Sequence, residues 1–342
     1  MALSRLALFP SLVLFLAGCA AAQEQQFASL GDFKLESGEV LRDCRIGYRT
    51  FGKLNAAKSN VVLFPMWAGG NTGQISPTAG PGNGLDLSRD FVVAVDPLSN
   101  GVSSSPSNSK LQPRMRFPKF NVRDMVETQH ALLTRVLHID HLKAVMGISM
   151  GGMQTFQWIV SYPDFTDKAI PIVGSPRLAP YDLLHWQTQI DAIENDAAWR
   201  NGDYAENPAR AAEAEFGALL LTTPEHFNQH TTRQQVSAML DKAKREKSGS
   251  DANNKIRQVQ AMMSIDVSER FGGSLAVAAA AVKAKVLVIS ATQDHVVTPG
   301  PAFEFGRLLH AQVIRLEGDC GHSAPGCEGA KVAAAVHAFL YQ

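Results

Sequence analysis

Short apolar runs alternate along the chain with segments whose apolar residues recur at helical spacing. The runs predict buried strands at 61–64, 91–95, 142–146, 285–290 and 312–316. Helical spacing appears after Asn121, which can cap a helix, and again at 153–160 and 331–340. Because such alternation is typical of a parallel sheet covered on both faces, we expect an α/β fold with a mainly parallel central sheet.

The segment before the first buried strand has a different pattern. Two short apolar stretches flank residues 36–39, whose sequence Glu-Ser-Gly-Glu is a hairpin signal, and 44–51 alternates between apolar and polar residues. These features predict antiparallel strands at the start of the fold.

The alternation of strands and helices stops between residues 181 and 271. This segment is charged and helix-like, with candidate helices at 209–221 and 232–245 and a loop at 247–251. We interpret it as a helical cap (181–271) inserted between the two parts of an α/β core, 23–180 and 272–342. The alternative is a separate helical domain without contact to a catalytic site.

Residues 1–22 have the pattern of an export signal. Arg5 precedes the apolar stretch 6–16, which is too short for a confident membrane span, and the sequence Leu-Ala-Gly-Cys at 16–19 is similar to a bacterial lipobox. We therefore expect lipidation of Cys19 and a periplasmic or outer-membrane-anchored lipoprotein. Cleavage after Ala22 and simple secretion is the second interpretation, and an uncleaved N-terminal anchor is the third.

Composition and charge narrow the range of partners. The 342 residues are 45% hydrophobic and 19% charged, with a formal net charge of zero, so neither nucleic acid nor an anionic surface is expected to bind. A homodimer is compatible with the sequence.

Three cysteines remain beyond Cys19. Cys320 and Cys327 flank a short loop that contains one histidine, and in an oxidising compartment we expect them to form a disulfide; two buried thiols are the alternative. Cys44 is then left as a core residue. No metal site is expected, since two cysteines and one histidine provide too few ligands for zinc.

Ser149 lies in the sequence Gly147-Ile148-Ser149-Met150-Gly151, which has the G-x-S-x-G spacing of a nucleophile elbow. A buried strand precedes it and a helix follows it, as that motif requires. The glycines allow the sharp turn that directs the serine hydroxyl away from the sheet. An ordinary strand–helix turn with a capping serine is the alternative.

Two further residues complete a candidate catalytic triad. Asp294 follows the strand at 285–290, and His322 follows the strand at 312–316, so all three groups are expected at the carboxyl edge of the sheet. Their order, Ser149, Asp294, His322, is that of the α/β hydrolases. Asp319 and Asp96 are rival candidates for the acid.

A triad of this kind also needs two backbone N–H donors for the oxyanion. We expect one from Met150, the residue after the nucleophile. The other is expected from Trp67 or Ala68, in the glycine-rich loop after the third predicted strand.

The sequence resembles the homoserine O-acetyltransferase family of α/β hydrolases over nearly the whole predicted mature chain. The resemblance rests on 117–118, 122–126, 149–154, 158, 162–164, several positions between 192 and 204, 285–289, Asp294 and 321–322. It places the nucleophile, acid and base of that family on Ser149, Asp294 and His322.

Two departures from the family alter the expected activity. Ser323 stands where the family has an aspartate after its histidine, and residues 220–223 lack the tyrosine and arginine of the family's cap motif. A homoserine pocket needs partners for both substrate charges. We therefore expect a serine hydrolase for a small ester, amide or thioester, with a small acyl substrate as its partner and without a cofactor. An O-acyltransferase is the alternative, and a non-catalytic envelope binding protein is a third.

Overall fold

The computed structural model describes residues 24–75, 84–245 and 249–342. The predicted signal segment at 1–22, the predicted lipidation site Cys19 and part of the predicted loop at 247–251 lie outside these ranges. Among the helices of the described ranges, none combines the length and the hydropathy that a membrane span requires.

Eight strands form one sheet in the order β1-β2-β4-β3-β5-β6-β7-β8. The pairs β1–β2 and β2–β4 are antiparallel and the other five pairs are parallel. The strands are β1 (Gln26–Lys34), β2 (Val40–Phe51), β3 (Val61–Pro65), β4 (Phe91–Val95), β5 (Leu142–Ile148), β6 (Thr166–Ile172), β7 (Lys285–Ala291) and β8 (Gln312–Leu316). The predicted α/β fold with a mainly parallel sheet is confirmed.

Strand β6 has no counterpart in the sequence-based prediction. It begins with Thr-Asp-Lys and contains Pro171, a residue that argues against a central strand because it cannot donate a ladder hydrogen bond. Pro171 lies between two paired positions of β6 and β7, Ala169 with Val286 and Ile172 with Ile289, which keep one register. On its other side Pro171 pairs with Gly147 of β5. The pairing of β6 with β5 and with β7 therefore outweighed the local sequence signal against a strand.

Helices cover both faces of the sheet. They are α1 (Val122–Ala131), α2 (Met150–Ser161), α3 (Pro180–Glu194), α4 (Ala211–Leu221), α5 (Pro224–His230), α6 (Arg233–Arg245), α7 (Ala252–Met263), α8 (Leu275–Ala281), α9 (Gly300–Leu308), α10 (Ala324–Cys327) and α11 (Gly329–Tyr341). Helix α1 begins at Asn121, whose side chain accepts a hydrogen bond from Asp124 N at 2.8 Å, and it continues as a π-helical turn, Leu132–Val136.

Helix α2, which follows Ser149, is buried at 11 of its 12 residues. Trp158 of α2 is fully buried and donates to Gln129 Oε1 of α1 at 2.7 Å. Gln129 in turn donates to Gln154 Oε1 at 2.5 Å. Because amide and indole groups are satisfied within the core, the two helices are held in one fixed arrangement.

The helices between β6 and β7 do not form an independent hydrophobic unit. Apolar residues of α3 and α7 belong to the same buried cluster as those of α1 and α2. Arg257 of α7 donates to the carbonyls of Phe117 and Met115 at 3.0 and 2.8 Å. Helices α4, α5 and α6 have no fully buried residue among those described. Two cap helices are thus part of the core, while three lie on its surface.

Candidate active site

Ser149 connects the end of β5 to the start of α2 in a backbone conformation that side chains seldom adopt. Its φ and ψ are 57° and −120°, a strained region that is common at functional turns. A Cβ at Gly147 would lie 2.3 Å from the carbonyl oxygen of Gly151, and a Cβ at Gly151 would lie 2.3 Å from that of Pro65. Only glycine fits at either position, so the spacing of the motif follows from the closeness of the backbone.

His322 lies within hydrogen-bonding distance of both other members of the predicted triad. Its Nε2 is 2.9 Å from Ser149 Oγ, and its Nδ1 is 2.7 Å from Asp294 Oδ2. Because a carboxylate only accepts, Nδ1 carries the proton and Nε2 is left to accept from the serine hydroxyl. The structure thus brings the three residues into a single hydrogen-bonded chain.

The carboxylate of Asp294 is held on both oxygens. Its side chain is 0% exposed, and Oδ1 accepts hydrogen bonds from the backbone N–H groups of Val296 and Val297 at 2.8 and 2.9 Å. Since Oδ1 is occupied by the turn, Oδ2 is directed at the imidazole, which fixes its tautomer and orientation.

The two rival acids have other partners. Asp96 accepts from Thr72 N at 2.9 Å and from Asn100 Nδ2 at 3.1 Å, and so holds the loops after β3 and β4. Asp319 lies 3.1 Å from Nδ1 of His226, on cap helix α5. In the sequence all three carboxylates follow a strand, and of the three the tertiary structure places Asp294 against His322.

Cap helix α3 holds the turn that carries Asp294. Asp182 accepts from Thr298 N at 3.0 Å and from Thr298 Oγ1 at 2.8 Å. His185, one turn further along α3, donates through Nε2 to the carbonyl of Val296 at 2.8 Å. Burial raises the pKa of Asp182 and lowers that of His185.

Sequence reasoning missed both of these α3 residues. The local signal, Pro180 followed by an acidic residue in the first turn, marks the start of a helix. It does not indicate that the helix meets a turn more than 100 residues later.

The glycine-rich loop after β3 lies beside Ser149. Trp67 and Ala68 line the same cavity as Ser149, and Met150 is the first residue of α2, where backbone N–H groups lack helical partners. The loop is fixed from the cap, since Gly69 N donates to Gln258 Oε1 of α7 at 2.9 Å. The predicted oxyanion donors therefore lie on the two segments that approach Ser149.

The cavity above Ser149 has a volume of about 730 Å³. Its walls are mainly apolar and come from the strand ends, the cap and α11: Trp67, Ala68, Met146, Ile148, Ile172, Trp186, Leu221, Val296, Val332 and Ala333. Ser323 lines it, as does Leu221 from the segment in which the resemblance places the cap motif. Apart from His322, Lys255 is the ionisable side chain among the described lining residues.

The cysteines divide between a bridge and the core. Cys320 and Cys327 are joined by a disulfide that spans the turn carrying His322. Cys44 is a buried thiol, and burial raises its pKa to about 12. Within the described residues, the candidate ligand atoms of His226, Asp319 and Cys320 lie near one another, as metal ligands do. The sulfur of Cys320 is bonded to Cys327, so it is not the thiolate that would bind a metal.

Comparison with known proteins identifies the family. A family profile for the alpha/beta hydrolase fold matches residues 69–325. The chain is 35% identical to an ethyl acetate hydrolase of Pseudomonas veronii, over 80% of this chain and 81% of that protein. The chain belongs to the α/β-hydrolase family. As an α/β hydrolase it is also similar to a homoserine O-acetyltransferase of Methanococcoides burtonii, with 29% identity over 91% of this chain and 72% of the relative.

A solved structure agrees with these matches. An acetylester hydrolase from Corynebacterium glutamicum superposes with a TM-score of 0.84 and 28% identity, covering 93% of this chain and 95% of that one. This α/β hydrolase is therefore an enzyme of the esterase or acyltransferase type, and its resemblance to the homoserine O-acetyltransferases is confirmed.

Proposed function

We propose that this α/β hydrolase is a serine esterase that cleaves short-chain acyl esters through an acyl-enzyme. The observation that carries the proposal is the hydrogen-bonded chain from Asp294 through His322 to Ser149, at 2.7 and 2.9 Å, in the wall of the cavity. A serine hydroxyl becomes a useful nucleophile when an oriented imidazole can remove its proton.

The first half of the reaction transfers the acyl group to the enzyme. Ser149 Oγ attacks the ester carbonyl while its proton moves to His322 Nε2, and Asp294 stabilises the imidazolium. The negative charge on the carbonyl oxygen is stabilised by N–H groups of Met150 and of the Trp67–Ala68 segment. Collapse expels the alkoxide, which leaves as an alcohol with the proton from Nε2.

The second half of the reaction returns the enzyme to its starting state. A water molecule gives its proton to Nε2 and attacks the acyl-enzyme carbonyl. Ser149 then leaves and recovers its proton from His322, and the carboxylic acid is released. The same groups act in both halves, so one triad serves for acylation and deacylation.

Hydrolysis is favoured over acyl transfer to homoserine by the lining of the cavity. Homoserine carries an ammonium as well as a carboxylate, and none of the described lining residues is a carboxylate that could pair with the ammonium. Ser323 lines the cavity at the position of the family's aspartate. An unpaired ammonium in such a site is costly. The predicted export signal also supports hydrolysis, because acetyl-CoA is not expected outside the cytoplasm.

The test combines covalent labelling with turnover. A fluorophosphonate probe should label the wild-type protein, and ethyl acetate should be hydrolysed to acetate and ethanol. Ser149→Ala should abolish labelling and lower kcat by about a million-fold, the loss typical of a removed nucleophile. Ser237→Ala, at an exposed position of α6, is the matched control.

Homoserine and acetyl-CoA provide the second arm of the experiment. We expect slower formation of O-acetylhomoserine than of acetate from ethyl acetate. Faster transfer than hydrolysis would establish the acyltransferase instead. Labelling that persists in Ser149→Ala would remove the serine from the mechanism.

A further inference from the structure

The cavity above Ser149 adjoins a second, more polar chamber. This chamber has a volume of about 390 Å³ and shares Trp67, Ala68 and Lys255 with the first. Its other walls include Asn71, Ser99, Asn100, Asn254 and Gln258. The junction between the two chambers is thus formed by the glycine-rich loop on one side and by Lys255 of α7 on the other.

Most of the polar side chains of the second chamber are engaged with the protein. Asn254 donates to Ser107 Oγ at 2.8 Å and accepts from Ser107 N at 3.0 Å. Gln258 accepts from Gly69 N and donates to the Leu98 carbonyl at 3.1 Å. These amides hold the loops, and among the described lining residues of this chamber Lys255 is the one with a charged side chain.

Lys255 is fixed in place, but its carboxylate partner is shared. Its Nζ lies 5.7 Å from the centre of the Trp186 ring and 3.5 Å from Glu213 Oε1. Arg210 Nη1 lies 3.5 Å from the other oxygen of Glu213. A lysine ammonium has three donors, and a shared contact at 3.5 Å is longer than a charge-assisted hydrogen bond. Lys255 can therefore bind a further anion.

The position of Lys255 in its helix also favours a bound anion. It is the fourth residue of α7, close to the end at which the helix dipole disfavours cations and favours anions. Helix stability does not account for a lysine at this position. A carboxylate bound there would interact favourably with both the ammonium and the dipole.

We infer that Lys255 binds the carboxylate of the substrate, so that the preferred substrates are short acyl esters of hydroxycarboxylic acids. The inference rests on the proposed esterase function and specifies its substrate class. The apolar side of the cavity, formed by the strand ends and α11, takes the acyl group. The alcohol part extends past Trp67 and Ala68 toward the polar chamber, and its carboxylate meets Lys255.

Matched substrates test the inference directly. The probe pair is 4-acetoxybutanoate and 4-acetoxybutanamide, which differ in charge but are close in shape. Wild-type enzyme should favour the carboxylate by about tenfold in kcat/KM, the size expected for one charge-assisted hydrogen bond. The preference should shrink as salt is raised from about 20 mM to about 500 mM, because a partly exposed charge pair is screened.

Substitutions assign the preference to one residue. Lys255→Met keeps the aliphatic stem, and we expect it to bring the two kcat/KM values close together; Lys255→Glu should reverse their order. Lys244→Met, at an exposed lysine of cap helix α6, is the matched control and should keep the wild-type ratio. A wild-type ratio near one, or a ratio unchanged in Lys255→Met, would overturn the inference.

A second pair places the charge on the acyl side. Monomethyl succinate and its neutral amide, methyl succinamate, should be hydrolysed with similar kcat/KM. A preference for the charged substrate in this pair alone would contradict the inference that Lys255 binds a carboxylate on the alcohol part of the ester. Hydrolysis of ethyl acetate separates the two proposals. If the enzyme cleaves ethyl acetate but does not distinguish 4-acetoxybutanoate from 4-acetoxybutanamide, the proposed esterase function stands and only the proposed role of Lys255 fails.

Discussion

Individual glycines of the elbow decide whether Ser149 can reach its conformation. We predict that Gly147→Ala lowers the free energy of unfolding by about 2 kcal/mol or more, because the new methyl group would meet the Gly151 carbonyl and two backbone segments would have to separate. The shift in the urea midpoint measures the loss, and fluorophosphonate labelling reports whether the serine turn survives.

Gly217→Ala is the matched control for this substitution. Gly217 lies inside helix α4, and a Cβ there meets no atom within 4 Å. The change should leave stability the same or raise it by up to about 1 kcal/mol, since alanine reduces the freedom of the unfolded chain. Equal midpoints for the two glycine variants would contradict the argument from close backbone approach.

At the scale of elements, helix α3 is expected to set the position of the catalytic acid. Asp182→Ala removes the acceptor of both Thr298 donors, so the turn at 294–298 loses its support. A displacement of about 1 Å at a reacting group can cost about a hundred-fold in rate. We therefore predict a fall in kcat of about ten- to a hundred-fold, with a changed pH profile because the environment of His322 changes.

Two variants separate positioning from general damage to the helix. Asp182→Asn keeps one oxygen acceptor and should fall between wild type and Asp182→Ala. Asp191→Ala, at an exposed position of the same helix, should retain wild-type kcat. Circular dichroism confirms that each variant is folded, and a folded Asp182→Ala with unchanged kcat and pH profile would show that α3 does not position the acid.

At the scale of the whole molecule, the buried imidazole of His185 and the half-buried imidazole of His130 couple stability to pH. Burial lowers the pKa of His185 and of His130, whose ring stacks on Tyr162 with centroids 4.0 Å apart. The unfolded chain therefore takes up these protons at a higher pH than the folded protein. Stability is fully present above the ordinary histidine pKa of about 6.5 and is lost as pH falls below it toward the lowered folded-state values.

We accordingly predict that Tm falls between about pH 7 and about pH 5. His130→Phe keeps an aromatic ring against Tyr162 and removes the proton uptake, so it should reduce this slope in calorimetry. His337→Gln, at an exposed histidine of α11, should leave the slope as it is. A wild-type Tm that does not change across this range would refute the coupling.

The sequence alone determined the parts of the protein that depend on neighbouring residues. Runs of apolar residues predicted five strands of the described sheet. Four of them are buried along most of their length, because a strand covered on both faces needs apolar side chains at successive positions. The fifth, β8, is an edge strand in which Leu316 is the buried residue, so the prediction that 312–316 is a buried strand was wrong in its burial. Glycine spacing predicted the turn at Ser149, since the close approach of Gly147 to Gly151 is local. Chain order and the predicted strand ends selected Asp294 and His322 as partners.

The tertiary structure decided what depends on contacts between distant segments. It placed β6 in the sheet despite Pro171, assigned Asp96 and Asp319 to other partners, and brought α3 onto the acid turn and Lys255 to the cavity. The physical reason is that these contacts join residues far apart in the sequence. The hydrogen bond from Thr298 to Asp182 joins residues 116 positions apart, and the periodicity and local propensity around one residue contain no information about the other.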